Sequence, residues 1–238
     1  EQDVRGLRRS GYEVRVFCGR LDNAAPQYAL RTRLDAQIVR VTLHTSDFMN
    51  REKLNHRNVV LERQFARCLD AFQPDVVHFH NLFALTVGLV DVCRQRGVPT
   101  IMTLHDYWPI CLKNVMLTNA DEVCRHNGLS CLMCQLKVSE REPVPLPVRN
   151  TLMKLAFRHV DRLLAPGHYL GERFIAHGFP SGRLRVVPYG LDMRPFQRVA
   201  QRRRRKSEDA PLVVAYLGYL GLHKGVEYLV RAAAQMRR

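Results

Sequence analysis

Short apolar runs alternate with segments of helical spacing along this chain, and Gly or Pro punctuates most of the junctions between them. This alternation constrains the fold more than any other feature. Strand and helix in turn, joined by brief connections, build a parallel sheet covered by helices. The strand-like runs are residues 12–18, 37–43, 76–79, 98–104, 162–165, 183–187 and 212–217. The helix-like segments are residues 1–9, 58–72, 84–96, 148–158, 169–176 and 226–236. Residues 21–34 read as polar and irregular, Gly19 as the end of the first strand, and Pro143, Pro145 and Pro147 as an extended link. The expected class is α/β with a doubly wound parallel sheet.

Within that frame, residues 98–111 (Val-Pro-Thr-Ile-Met-Thr-Leu-His-Asp-Tyr-Trp-Pro-Ile-Cys) form a buried strand that delivers His105 and Asp106 to its carboxyl end. In open α/β sheets, ligands bind just beyond the carboxyl ends of strands. Residues 76–79 run likewise into His80 and Asn81. His80 reads either as facing a substrate or as a histidine bonded at a strand end. Asp106 either orients His105 or caps the next turn, and Tyr107 and Trp108 either pack in the core or stack on a ligand.

A net charge of +15 favours anionic partners, among them sugar nucleotides, lipid head groups and nucleic acid. The basic residues are scattered without interleaved aromatics, which argues against nucleic acid. The local run Arg202–Lys206 reads as a solvated linker or as a contact for anionic lipid. No apolar run reaches the eighteen or so residues that span a bilayer. Seven cysteines, an odd number, fit a reducing compartment better than a disulfide framework. Cys111, Cys124, Cys131 and Cys134 contain one close Cys-x-x-Cys pair and two distant thiols. This set can complete a structural zinc site, with His126 as a substitute ligand, or simply be buried and inert.

Residues 217–225, Leu-Gly-Tyr-Leu-Gly-Leu-His-Lys-Gly, place Gly218, Gly221 and Gly225 at a strand-to-helix turn. Such a turn lets backbone amides approach a phosphate, and Lys224 adds a full positive charge. The alternative is an ordinary turn with a solvated lysine. Some twenty residues earlier, Leu-Arg-Val-Val-Pro-Tyr-Gly-Leu-Asp-Met-Arg-Pro-Phe (184–196) reads as a strand and a Pro-x-Gly turn, followed by Asp192 and Phe196, suited to a crossing between domains or as a plain turn.

Five pieces occur in register: Asp-Val-Val-His-Phe-His-Asn (75–81), Thr-Leu-His-Asp-Tyr-Trp (103–108), Ala-Pro-Gly (165–167), Val-Pro-Tyr-Gly-Leu-Asp (187–192) and Gly-x4-His-Lys-Gly (218–225). Together they resemble family 4 glycosyltransferases of the GT-B fold, retaining enzymes that use sugar nucleotides. The resemblance implies two Rossmann-like domains facing across a cleft. An acceptor-side domain would span residues 1–197, with a Cys-rich insertion at 111–141. A basic linker at 198–210 and the start of a donor-binding domain at 211–238 would follow. It also implies a first strand and glycine-rich loop ahead of Glu1, and a Glu-x7-Glu segment after Arg238, so that this stretch alone is expected to be inactive.

By the same resemblance, Lys224 holds the donor diphosphate, with Gly218, Gly221 and Gly225, and His105 lines the transferred sugar. His80, Asn81, Asp106 and Tyr107 are acceptor-side candidates. Tyr219 stands where relatives often carry arginine. The implied activity is hexose transfer from a nucleotide-sugar to a carbohydrate or lipid-linked acceptor, with no cofactor required. The implied setting is the cytoplasm, with a peripheral contact at the inner membrane face. A non-catalytic module that binds a glycan or a protein is the alternative.

Overall fold

The structure is a computed structural model that describes residues 2–33, 37–46, 56–111, 113–118, 122–125, 128–132, 145–194, 196–197 and 213–236. The basic run Arg202–Lys206, the expected linker, Cys134 and His126 lie outside the described residues.

Helix α1 (Gln2–Arg9) leads into strand β1 (Val16–Leu21), followed by β2 (Leu30–Arg33) and β3 (Ile38–Leu43). Strand β1 pairs in parallel with β3 from Val16 opposite Ile38 to Leu21 opposite Leu43. The first strand therefore starts later than residue 12 and passes through Gly19. A Cβ on Gly19 would lie 2.7 Å from Leu43 Cδ1, so the glycine permits close packing rather than ending the strand. Residues 30–33, read as irregular, form an antiparallel edge on β3.

Helix α2 (Val59–Phe72) crosses from β3 to a second sheet. Its first turn is closed reciprocally. Asn58 Oδ1 accepts from the Leu61 amide at 3.1 Å, while Glu62 Oε1 accepts from the Asn58 amide at 3.0 Å. The second sheet is all parallel, in the order β4 (Val77–Phe79), β5 (Thr100–Thr103), β6 (Arg162–Ala165), β7 (Leu184–Val186). Helices α3 (Gly88–Gln95), α4 (Leu146–Phe157) and α5 (His168–Ala176) connect these strands. Pro147 falls inside the first turn of α4, where its missing N–H costs nothing, so the expected extended link ends sooner. Asp161 accepts from the amide and hydroxyl of Thr100 at 2.7 and 3.1 Å, which pins the start of β5 to β6.

One large apolar cluster lies under the second sheet, including Met102, Trp108, Met153, Phe157, Leu163 and Phe174. Phe65 of α2 links the two sheets by meeting Phe17 at 5.2 Å and Phe79 at 6.1 Å between ring centres. Burial of such a cluster, at roughly 25 cal/mol per Å² of apolar surface, is what holds the helices to the strands. The outer edges of β1 and β4 carry no ladder partner among the described residues. Both border a groove of about 560 Å³.

Of the strand expected at 212–217, the described part, residues 213–217, pairs with no other strand among the described residues. Their apolar side chains are exposed, Leu217 fully so. A short helical turn (Leu222–Lys224) and α6 (Val226–Gln235) follow. Gly225 caps α6 at φ +66°, a left-handed conformation that glycine adopts without a Cβ clash.

Candidate active site

The carboxyl ends of β4 and β5 lie side by side and bring the histidines of two sequence motifs together. His80 Nδ1 lies 3.0 Å from His105 Nε2, and the two ring planes are 22° apart. His105 Nδ1 lies 2.6 Å from the hydroxyl of Tyr189, which comes from the turn after β7. Those ring planes are 13° apart. His80 Nε2 is 3.9 Å from Asp3 at the start of α1. His78 stacks on His80 at 4.3 Å, and its Nε2 meets Thr103 Oγ1 at 2.8 Å.

Burial and neighbouring charges shift three members of this group. Burial pushes His78 down to about 4, with the charge of His80 acting in the same direction and Asp3 opposing it. Burial, then the neighbouring His105, lowers His80 as well, again against Asp3. The Tyr189 phenol is raised by burial and then by Asp106, so it keeps its proton.

The alternatives left open by the sequence resolve locally. Asp106 Oδ1 accepts from the Trp108 amide at 2.8 Å, so it caps the turn, and no bond to His105 is formed. Asn81 Oδ1 accepts from the Phe83 amide at 2.8 Å and does the same after β4. Trp108 is buried in the core, whereas Tyr107 is half-buried and reaches a cleft.

That cleft has a volume of about 510 Å³. One wall is His105, Asp106 and Tyr107; the other is His223, Gly225, Glu227 and Tyr228. Asn114 borders it with φ +62°, and its side-chain oxygen is buried without a partner among the described residues. Lys224 is exposed on the short turn between the cleft-lining His223 and Gly225, while Gly218 and Gly221 stand farther up the loop. Each of those two glycines has aromatic neighbours where a Cβ would go: Tyr216 at Gly218, and His223 and Tyr219 at Gly221.

A model of Glycosyltransferase Family 4 matches residues 4–194. The chain belongs to that family. This family 4 chain is 29% identical over 175 residues to a GDP-mannose-dependent alpha-mannosyltransferase of Mycobacterium tuberculosis (strain CDC 1551 / Oshkosh), covering 71% of the chain and 38% of that protein. It is 28% identical over 166 residues to D-inositol 3-phosphate glycosyltransferase 1 of Catenulispora acidiphila, covering 68% of the chain and 34% of that protein. The chain thus spans 34–38% of the length of these relatives. An alpha,alpha-trehalose-phosphate synthase (UDP-forming) from Burkholderia xenovorans is similar in structure at a TM-score of 0.46 and 12% identity, over 77% of this chain and 46% of that one.

The family 4 chain reveals site residues that its sequence did not. Tyr189 and His223 stand in two of the five motif pieces with no role assigned by the sequence, and Glu227 and Tyr228 stand in a helix. Their position against His105 depends on contacts across more than 80 residues; the His105–Tyr189 separation is 84. Three of the four cysteines are described. Cys111 and Cys124 are half-buried free thiols against the main core, and Cys131 is buried. Among the described residues no three His, Cys, Asp or Glu side chains are grouped to hold a metal, and the fourth thiol, Cys134, lies outside them. No helix among the described residues is long and apolar enough to cross a membrane.

Proposed function

We propose that this chain carries the acceptor-side half and part of the donor site of a retaining glycosyltransferase. The enzyme moves a hexose from a nucleotide-sugar to a carbohydrate or lipid-linked acceptor. The observation that carries the reading is the cleft in which His105, Asp106 and Tyr107 face His223, Gly225, Glu227 and Tyr228. The names of the relatives, mannosyl and inositol phosphate glycosyltransferases, agree with a hexose donor and a hydroxyl acceptor.

In this reading His105 lines the reacting sugar and Lys224 stands by the leaving diphosphate, whose developing charge calls for a cation more than for an acid. Gly225 opens α6 and leaves its first amides available to a phosphate oxygen. Glu227, in the first turn of the same helix, suits a sugar hydroxyl rather than the diphosphate. Tyr107, whose hydroxyl is held neutral chiefly by burial, adds a polar edge to the acceptor wall.

Release of nucleoside diphosphate from GDP- and UDP-hexoses, measured on the full natural protein, tests the assignment. His105→Ala and Lys224→Ala should each lower turnover by at least about 100-fold, as removal of one transition-state contact does elsewhere. Near-normal turnover by Lys224→Ala would sink the donor assignment. A second reading, a binding module without turnover, is favoured by the exposed Tyr219 at a position often held by a cation. It predicts glycan binding with no diphosphate release from the unmutated protein.

A further inference from the structure

We infer that Tyr189 is a positioning residue that holds His105 as the neutral tautomer with its proton on Nε2, aimed away from the turn after β7. The inference rests on the reading that His105 lines the reacting sugar. It adds a residue and a proton position which that reading does not contain.

The hydrogen-bond directions follow from the two ends of the array. At one end a phenol that keeps its proton sits 2.6 Å from His105 Nδ1. A protonated phenol is a good donor, and the imidazole nitrogen lacking a proton is the acceptor that matches it. With the phenol as donor, His105 Nδ1 accepts and its one proton belongs on Nε2. From there it points at His80 Nδ1, 3.0 Å away, which must accept. His80 then carries its own proton on Nε2, on the side of the Asp3 carboxylate at 3.9 Å, a group that can only accept when ionised. Donor at one end and acceptor at the other thus impose one direction: Tyr189 to His105, His105 to His80, His80 toward Asp3.

The reverse direction would aim His80 Nε2, as a lone pair, at a carboxylate. A doubly protonated His80 would set two N–H groups against each other across 3.0 Å. That conflict agrees with the lowered basicity of His80, caused by burial first and by His105 second. The ring planes are nearly parallel, 13° apart for His105 and Tyr189 and 22° for His105 and His80, and with ring centres 5.3 Å apart the 3.0 Å His80–His105 contact runs along the line between the rings, where nitrogen lone pairs and N–H bonds point.

The consequence for transfer is directional. With Nδ1 occupied by Tyr189, His105 offers a substrate hydroxyl only a donor, its Nε2–H. A hydroxyl that displaces His80 receives that hydrogen bond, and the ring plane stays fixed by the phenol.

The test uses ¹⁵N-histidine-labelled protein and long-range ¹H–¹⁵N correlation spectra, with His105 assigned by its loss in His105→Gln. In the unmutated protein His105 should show a protonated Nε2 and an unprotonated Nδ1. Tyr189→Phe keeps the ring and removes the hydroxyl, and it should lower the tautomer preference by about tenfold, the equivalent of one strong hydrogen bond. In the transfer assay the same variant should lower kcat about tenfold and leave KM unchanged, since donor contacts are untouched. A proton found on Nδ1 of the unmutated His105 would overturn the proposal. So would a tautomer ratio unmoved by Tyr189→Phe, or an altered tautomer with full kcat. The spectra need no turnover. If the unmutated protein transfers no sugar, the functional reading fails, while the tautomer result is decided separately.

Discussion

Replacing Arg149 by Met should weaken the fold at the turn that carries the site. Arg149 is 2% exposed, and its guanidinium donates to the Trp108 carbonyl at 2.8 Å and to Asn150 Oδ1 at 3.3 Å. It also lies 5.9 Å from the centre of the Trp108 ring. Asn150 in turn donates to the Ile110 carbonyl at 3.3 Å, so two side chains of α4 hold the turn that follows His105 and Asp106. A hydrogen bond from a charged donor contributes roughly 1.5–3 kcal/mol, and a cation over an aromatic ring about 0.5–1 kcal/mol. Methionine is nearly as long and flexible, so little cavity is left. Relief of the desolvated charge offsets part of the loss. The net cost comes to about 2 kcal/mol, or a Tm lower by about 4–8 °C for a chain of this size. Trp108 is the chain's single tryptophan and is 4% exposed, so its fluorescence reports this turn during urea unfolding. Stability within about 0.5 kcal/mol of the unmutated chain, with unchanged Trp emission, would refute the claim that Arg149 secures the turn.

Further outcomes follow from the same structure. A Cβ on Gly88 would run into the buried Glu62 carboxylate, with Glu62 Cδ at 2.6 Å. Gly88→Ala should therefore lower stability by about 2 kcal/mol despite the better helix propensity of Ala, and a gain in urea midpoint would contradict this. Gly225→Ala forces a left-handed residue at the head of α6 and should cost about 1 kcal/mol, read by calorimetry; no change in Tm would count against the cap. His78, pushed down to about 4 from an ordinary 6.5, is protonated first in the unfolded chain. Its contribution is intact above pH 6.5 and is lost as pH falls toward 4. Solvent reaches the ring, so the loss is screened to roughly 1 kcal/mol. Urea midpoints at pH 7 and pH 5 should differ less in His78→Gln than in the unmutated chain, and an equal difference would remove His78 as a cause.

The parallel strands were legible because they are short apolar runs, as in β3 and β4, and in β6 the run is closed by Pro166 and Gly167. The edge strand β2 was not, because Leu-Arg-Thr-Arg has no apolar alternation and is held only by its ladder to β3. Residues 98–104 shrink to Thr100–Thr103 because Pro99 has no N–H to give; only its carbonyl pairs, accepting from Val77 at 2.9 Å. At the site, His80 and His105 were visible as residues that end strands. What each bonds to was not, since neighbouring strands in a parallel sheet bring together positions 25 residues apart. Tyr189 and Arg149 were hidden for the same reason, their partners lying 84 and 41 residues away.

The central claim is that sugar-nucleotide chemistry takes place in the cleft between His105 and the loop before α6. Its most direct test is amide chemical-shift mapping of the protein titrated with a GDP-hexose and, separately, a UDP-hexose. The account predicts saturable shifts confined to residues 105–107, 114 and 223–228, weakened by Lys224→Ala. Shifts confined to the groove between β1 and β4, or none at millimolar donor, would contradict it.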